Sequence, residues 1–229
     1  VDALKTPATR ATLISEGIAA GDMNHLAHML HPFGVEETPN LDFNRKASLQ
    51  QLAAEAGKDP VEVYVDRLAE SEGREFFNYW MFGGNLENQW KYMQLPHVVP
   101  MLGDAGAHVG FFTDTDSPTV LLSELTREQG VYSLPEAIHR ITGKSAEIIG
   151  LKERGELREG WHADINIIDY ENLRTCHPEY VNDFPHGGGR FIVRSQGYDA
   201  TIVAGEVVVE NCQHTGQRPG KVIREFVRG

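Results

Sequence analysis

Apolar positions along the first two thirds of the chain recur at helical spacing between helix-type caps, and beyond residue 150 they alternate between turn residues as strands do. Ser48-Leu49-Gln50-Gln51 has the form of a capping box and predicts a helix that ends at Gly57. A second helix is expected at once, with Asp59 at the N-cap, Pro60 at the first helical position and Glu62 placed to bond back. Its apolar face is Val61, Val65 and Leu68. Residues 75–82, EFFNYWMF, predict a buried strand, followed by a turn at Gly83-Gly84-Asn85 and a short helix to about Leu95. Another strand, Val98 to Leu102, runs into Gly103-Asp104-Ala105-Gly106, and this order of strand, helix, strand predicts a parallel α/β sheet. Ser117-Pro118 opens a helix that stops at Gly130. The box Ser133-Leu134-Pro135-Glu136 opens another, with Leu134, Ala137, Ile138 and Ile141 on one face.

Past Gly150 the pattern changes. Residues 163–169 predict a strand, and Ala200 to Ala204, a turn at Gly205-Glu206 and Val207 to Val209 predict a hairpin. Pro185-His186-Gly187-Gly188-Gly189 marks a loop where the backbone bends freely or passes close to something. The change of character places a domain boundary near residue 150, giving segments 1–150 and 151–229.

Composition narrows the function classes. Hydrophobic residues at 41% and charged residues at 24% are ordinary for a globular chain, and no apolar run approaches the roughly 20 residues of a membrane-spanning helix. A formal net charge of −12 argues against a nucleic-acid partner, which needs a concentrated basic face, and favours a small molecule. Only Cys176 and Cys212 occur, which fits a reducing compartment and, with no signal-like N-terminus, a cytoplasmic protein.

The leading chemical candidate is Asp104, a carboxylate released from the end of an apolar strand into a turn of small residues. Parallel α/β folds build active sites there, and a carboxylate so placed either ligates a divalent metal or takes a proton from metal-bound water. The competing reading is a turn cap. His108 would orient a substrate or bound oxyanion, or serve as a hydrogen-bonded loop residue. For Asp114 and Asp116 helix capping is the favoured role. His25, His28 and His31 are three apart, so on a helix the first and last point roughly 120° apart and converge poorly on a metal. Core packing explains the aromatic and amide mixture of residues 78–92 better than a carbohydrate or peptide pocket. Asp164 is expected to accept backbone N–H groups where its strand begins. The chain contains no H-x-H, HExxH, GxSxG or phosphate-binding glycine loop.

Several ordered motifs together resemble one family. Gly155-Glu156-Leu157, Gly160, Ala163-Asp164-Ile165 and Asp169 resemble the place where the amidohydrolase superfamily leaves its barrel and re-enters a small β-domain. Gly103-Asp104-Ala105-Gly106-Ala107-His108 resembles the strand-eight motif of the family-3 amidohydrolases, which include the N-acyl-D-amino-acid deacylases. Residues 200–208 and His214 to Gly220 resemble that subgroup's C-terminal signature, and Gly57-Lys58-Asp59-Pro60 its lid and helix region. The resemblance covers about residues 48–229. It implies a (β/α)8 barrel with a small β-sandwich made from both chain ends, and zinc or a similar divalent ion activating water against an amide. Asp104 matches the strand-eight aspartate, a general base or metal contact, and Gly103 stands where many members carry Ser.

The resemblance also implies that the strand-one H-x-H, the bridging residue and the histidines of strands five and six lie N-terminal to this sequence. The expectation is therefore the last barrel strands and helices in 1–150 and the C-terminal share of the sandwich in 151–229, inactive alone for want of metal ligands. Val1 in place of Met is expected not to be the natural start. The implied reaction is deacylation of an N-acyl-D-amino acid. A cyclic-amide hydrolase of the dihydroorotase or hydantoinase kind, and a non-catalytic scaffold, stand as alternatives. Open strand edges predict that the 229-residue chain self-associates or pairs with a missing N-terminal portion. Size-exclusion chromatography checks this: an oligomer or complex is expected, and a clean, well-folded monomer contradicts it.

Overall fold

The computed structural model describes residues 2–34, 48–79, 86–100, 103, 106–110, 115–224 and 226. It is a mixed α/β structure that divides into two compact units, Val1–Asn88 and Gln89–Gly229.

The first unit contains α1 (Asp2–Lys5), α2 (Pro7–Ala20), α3 (Met23–Leu26), β1 (Leu30–Gly34), α4 (Leu49–Ala56), α5 (Pro60–Glu70) and β2 (Phe76–Tyr79). The expected capping box is present at α4. The Gln51 N–H donates to Ser48 Oγ (3.3 Å), the Ser48 N–H donates to Gln51 Oε1 (2.8 Å), and Gly57 closes the helix in the left-handed region. At α5 the Asp59 carboxylate accepts from the Val61 N–H (2.9 Å), while Glu62 lies 3.9 Å from the Lys58 amine rather than returning to the cap. Leu49, Ala53, Val63 and Ala27 form a buried cluster with Tyr64 and Phe77 against it. Gly17 lets α2 approach α5 closely, since a Cβ there would lie 2.7 Å from Val61 Cγ1.

The strand predicted over 75–82 is observed as β2; residues 80–82 and the turn 83–85 lie outside the described residues. It pairs antiparallel with β1, Leu30 facing Tyr79. Every strand pair among the described residues is antiparallel, against the parallel order expected from the sequence. The physical reason is visible at residues 98–100, predicted as the next strand. They carry no ladder, and the Val98 carbonyl accepts from a guanidinium; residues 101–102 of that predicted strand lie outside the described residues.

The second unit begins within α6 (Leu86–Met93). It continues through α7 (Ser117–Val120), a π-helical segment (Leu121–Glu128), α8 (Leu134–Ile141) and α9 (Gly143–Ile149). The helix expected from Ser117 to Gly130 thus changes register partway, with i to i+5 bonds such as Gln129 N–H to Glu124 O (3.0 Å). Leu121, Leu122 and Leu125 remain buried, together with Tyr132, Ala137 and Leu173. Leu134, expected on the buried face of α8, is exposed.

The strands of this unit are β3 (Ile165–Ile168), β4 (Arg174–Thr175), β5 (Glu179–Val181), β6 (Arg190–Ile192), β7 (Ser195–Gln196), β8 (Tyr198–Val203), β9 (Glu206–Glu210) and β10 (Gln213–His214). One sheet has the order β10-β9-β8-β3, and β4 pairs with β7 and β5 with β6. The β8–β9 hairpin turns at Ala204-Gly205, one residue earlier than expected, because Val203 pairs with Glu206. Both turn residues have positive φ, 50° and 84°, as a two-residue hairpin of this hand requires. The turn is held from β3: the Ala204 N–H donates to Asp164 Oδ1 (2.9 Å) and the Gly205 N–H to the Ala163 carbonyl (3.0 Å). This is the structural role expected of Asp164, which also pairs with Arg154.

Gly197 combines φ of +93° with a site where a Cβ would lie 2.7 Å from Leu173 Cα. Gly197→Ala is expected to lose at least about 2 kcal/mol, from strain plus backbone overlap. Gly205→Ala, with equally positive φ but open space around it, is expected to lose only about 1–2 kcal/mol. Urea unfolding of both variants checks the difference; equal losses contradict the crowding at Leu173.

Candidate active site

Asp104, the leading candidate, lies outside the described residues, as do Asp114 and residues 101–102 of the preceding predicted strand. The segment around it is described at Gly103, at the turn 106–110 and from Thr115 onward, and is anchored on either side of these points.

Upstream, the anchor is Arg140. This side chain projects from α8 and is buried, 6% exposed for the residue as a whole. Nη1 donates to the carbonyls of Met93 (2.8 Å), Leu95 (3.0 Å) and Val98 (2.5 Å), and Nη2 to that of Gln94 (3.1 Å). Nε donates to Glu136 Oε1 (2.6 Å), and the guanidinium carbon sits 5.0 Å from the centre of the Tyr132 ring. The Tyr132 hydroxyl adds a donation to the Met93 carbonyl (2.6 Å). The end of α6 and the residues after it are thus satisfied by a cation, the sign that complements a helix C-terminus.

In the middle, Gly106 (φ 89°) and His108 (φ 54°) adopt left-handed conformations in an exposed turn. The Phe191 N–H donates to the Val109 carbonyl (2.7 Å), which ties this turn to β6 at the base of the Gly187–Gly189 loop. That loop passes close to an aromatic ring, as a Cβ on Gly189 would lie 2.2 Å from the Tyr180 hydroxyl oxygen.

Downstream, Asp116 stands at the N-cap of α7, where its main-chain carbonyl accepts from the Val120 N–H (3.0 Å). Its carboxylate accepts from the hydroxyl of buried Thr175 rather than from the helix. Buried Thr119 shares hydrogen bonds with Ser195 Oγ (2.8 Å) and the Tyr198 hydroxyl (3.1 Å). Asp116 is therefore a tie between helix and strand in place of the side-chain cap expected of it.

The three spaced histidines do not converge. His25 is exposed on α3, His28 is exposed in the turn after it, and His31 is buried in β1. Among the described residues no group of three or more His, Cys, Asp or Glu is placed to hold a metal ion. A catalytic zinc site takes about three protein ligands, so the described residues do not fit one. Cys176 and Cys212 are free thiols, and no described helix is long and apolar enough to cross a membrane.

The sequence reading missed Arg140, Thr175 and the Phe191–Val109 link. Arg140 had a signal: it lies three residues after Ala137 and beside Ile141, a charged residue on the face assigned to the core. The others had none, since a main-chain bond and a two-residue strand leave no mark in residue type.

The amidohydrolase family profile matches residues 31–209, which takes in α4, α5, the 103–110 segment and both halves of the β8–β9 hairpin. The chain belongs to the amidohydrolase family. Its similarity is to the D-aminoacylase type within that family. An N-acyl-D-aspartate deacylase of Alcaligenes xylosoxydans xylosoxydans is 38% identical over 105 residues, 46% of this chain and 19% of that protein. A dihydroorotase of Endomicrobium trichonymphae is 36% identical over 94 residues, 39% of this chain and 21% of that protein. A solved N-acyl-D-glutamate deacylase of Bordetella bronchiseptica, in complex with zinc and a phosphonate inhibitor, is 22% identical, with a TM-score of 0.48 over 88% of this chain and 38% of that one. The matched stretches are about a fifth of the length of these curated relatives.

Burial raises the Tyr132 phenol above its ordinary 10.0; nearby Arg140 opposes this and Glu136 adds to it. The unfolded chain then loses this proton first, so the contribution is fully present below about pH 10 and is lost as pH rises through the higher folded value. Tyr132→Phe is expected to flatten the fall in stability between about pH 9 and about pH 11, measured as urea midpoints. Parallel curves for the two proteins contradict this.

Proposed function

We propose that this chain contributes the last strands and helices of a (β/α)8 amidohydrolase barrel, residues 1–150, and the C-terminal share of a small β-sandwich, residues 151–229. The antiparallel sheet β10-β9-β8-β3 supports the second assignment. The proposed reaction is hydrolysis of the amide C–N bond of an N-acyl-D-amino acid. The observation that carries this reading is the support found before and after Asp104 in the sequence, where Arg140 holds the Val98 carbonyl, Phe191 the Val109 carbonyl and Thr175 the Asp116 carboxylate. An active-site segment needs this kind of support from rigid elements.

Zinc or another divalent ion, which polarises the amide carbonyl when bound, would be held by residues beyond the described ones. Asp104 takes and returns a proton at its carboxylate, and exposed His108 faces the small N-acyl amino acid. On this reading the isolated chain is inactive until its missing ligands are supplied. The 36% identity to a dihydroorotase supports cyclic amides as a second substrate class, separable by assaying dihydroorotate and hydantoins beside N-acyl-D-amino acids.

Asp104→Asn in the complete protein is expected to cut kcat for amide hydrolysis by about 10²- to 10⁴-fold, with an unchanged circular-dichroism spectrum. Undiminished hydrolysis removes Asp104 from the mechanism.

A further inference from the structure

We infer that Arg140 is a positioning residue for catalysis, fixing the course of residues 93–98 as the chain approaches Gly103 and Asp104. This rests on the amide-hydrolysis reading and on Asp104 as its proton carrier.

A guanidinium this deeply buried is a poor device for stability alone. An apolar side chain of the same volume usually serves a fold equally well, because the desolvation of a buried charge offsets what its pairing returns. Glu136, the carboxylate that Arg140 meets, is itself 45% exposed, so the arrangement is not a sealed ion pair. The rest of the fork is directed at main-chain carbonyls of Met93, Gln94, Leu95 and Val98. From Gln94 to Pro100 the chain has neither helix nor ladder, so no repeating backbone bonds set its course. What an apolar side chain cannot do is hold those carbonyls at fixed distances, and the planar fork can. Val98 stands six positions before Asp104 in the sequence, so the anchor acts close to the proposed proton carrier along the chain. The link from Phe191 to Val109 holds the turn at 106–110, which follows Asp104 in the sequence.

Lysine keeps the charge and loses the fork, since three rotatable donors cannot reproduce the five contacts of Arg140. Arg140→Lys in the complete protein is therefore expected to fold, with kcat per folded molecule down roughly 10- to 100-fold and KM changed much less. Hydrogen–deuterium exchange is expected to rise in peptides covering 93–100 and 106–110, while α9 stays as protected as in the wild type. Wild-type kcat per folded molecule, or unchanged exchange at 106–110, overturns the proposal. Should Arg140→Lys fail to fold, Glu136→Ala is the second variant, Glu136 being half-exposed and the change removing only the acceptor that orients Nε. It is expected to show a several-fold loss in kcat with the same exchange pattern, and wild-type values of both overturn the proposal. If the wild-type protein hydrolyses no amide, the functional reading fails by itself. Exchange at 106–110 then decides Arg140 separately: a rise supports its positioning of the segment, and no change refutes it.

Discussion

A buried guanidinium must find acceptors for its donors, and in this protein that demand shapes the stretch between α6 and the candidate active-site segment. Arg140 meets it with the carbonyls of residues 93–95 and 98, at and beyond the end of α6. Tyr132 joins from the next turn, donating to Met93 and offering its ring to the cation. The polar contacts then require α8 to sit where its apolar residues, Ala137 foremost, complete the cluster of Leu121, Leu122 and Leu125.

The same device recurs at Arg127, whose Nη1 donates to the carbonyls of Tyr170 (2.6 Å) and Leu173 (2.9 Å). There it secures the turn between β3 and β4, and fully buried Leu173 packs beneath it. Both arginines come from consecutive helical segments and both stabilise irregular backbone. The π register of residues 121–128 belongs to this scheme, since it ends in Arg127 while keeping the leucines in the core. Around these anchors, Asp116 and Thr119 tie α7 to Thr175, Ser195 and Tyr198.

Local chemistry made much of this legible in the sequence. The Ser48 box, the Asp59 cap and the glycine stop at 57 are written in residue types at fixed spacing, and the structure contains them. Asp164 was recognisable as structural because a short carboxylate at the start of a strand seeks nearby N–H groups. Strand pairing was not legible: β2 comes after a helix, as a parallel strand would, yet pairs back to β1 more than forty residues earlier. Nor was the π register, which keeps the same apolar residues buried as an α-helix would. The site was legible as a motif, Gly103 to His108, but its support was not, because the acceptors that Arg140 reaches are main-chain carbonyls, which residue types do not mark.

The amidohydrolase family match over residues 31–209 makes amide hydrolysis the reading to test. The most direct measurement is hydrolysis of paired N-acyl-D- and N-acyl-L-amino acids by the complete protein, before and after a chelator and after zinc is restored. The account predicts release of the D-amino acid, loss of that activity with the chelator and its return with the metal. No hydrolysis of any amide by the metal-loaded protein would contradict it and leave a scaffold that keeps the family's fold.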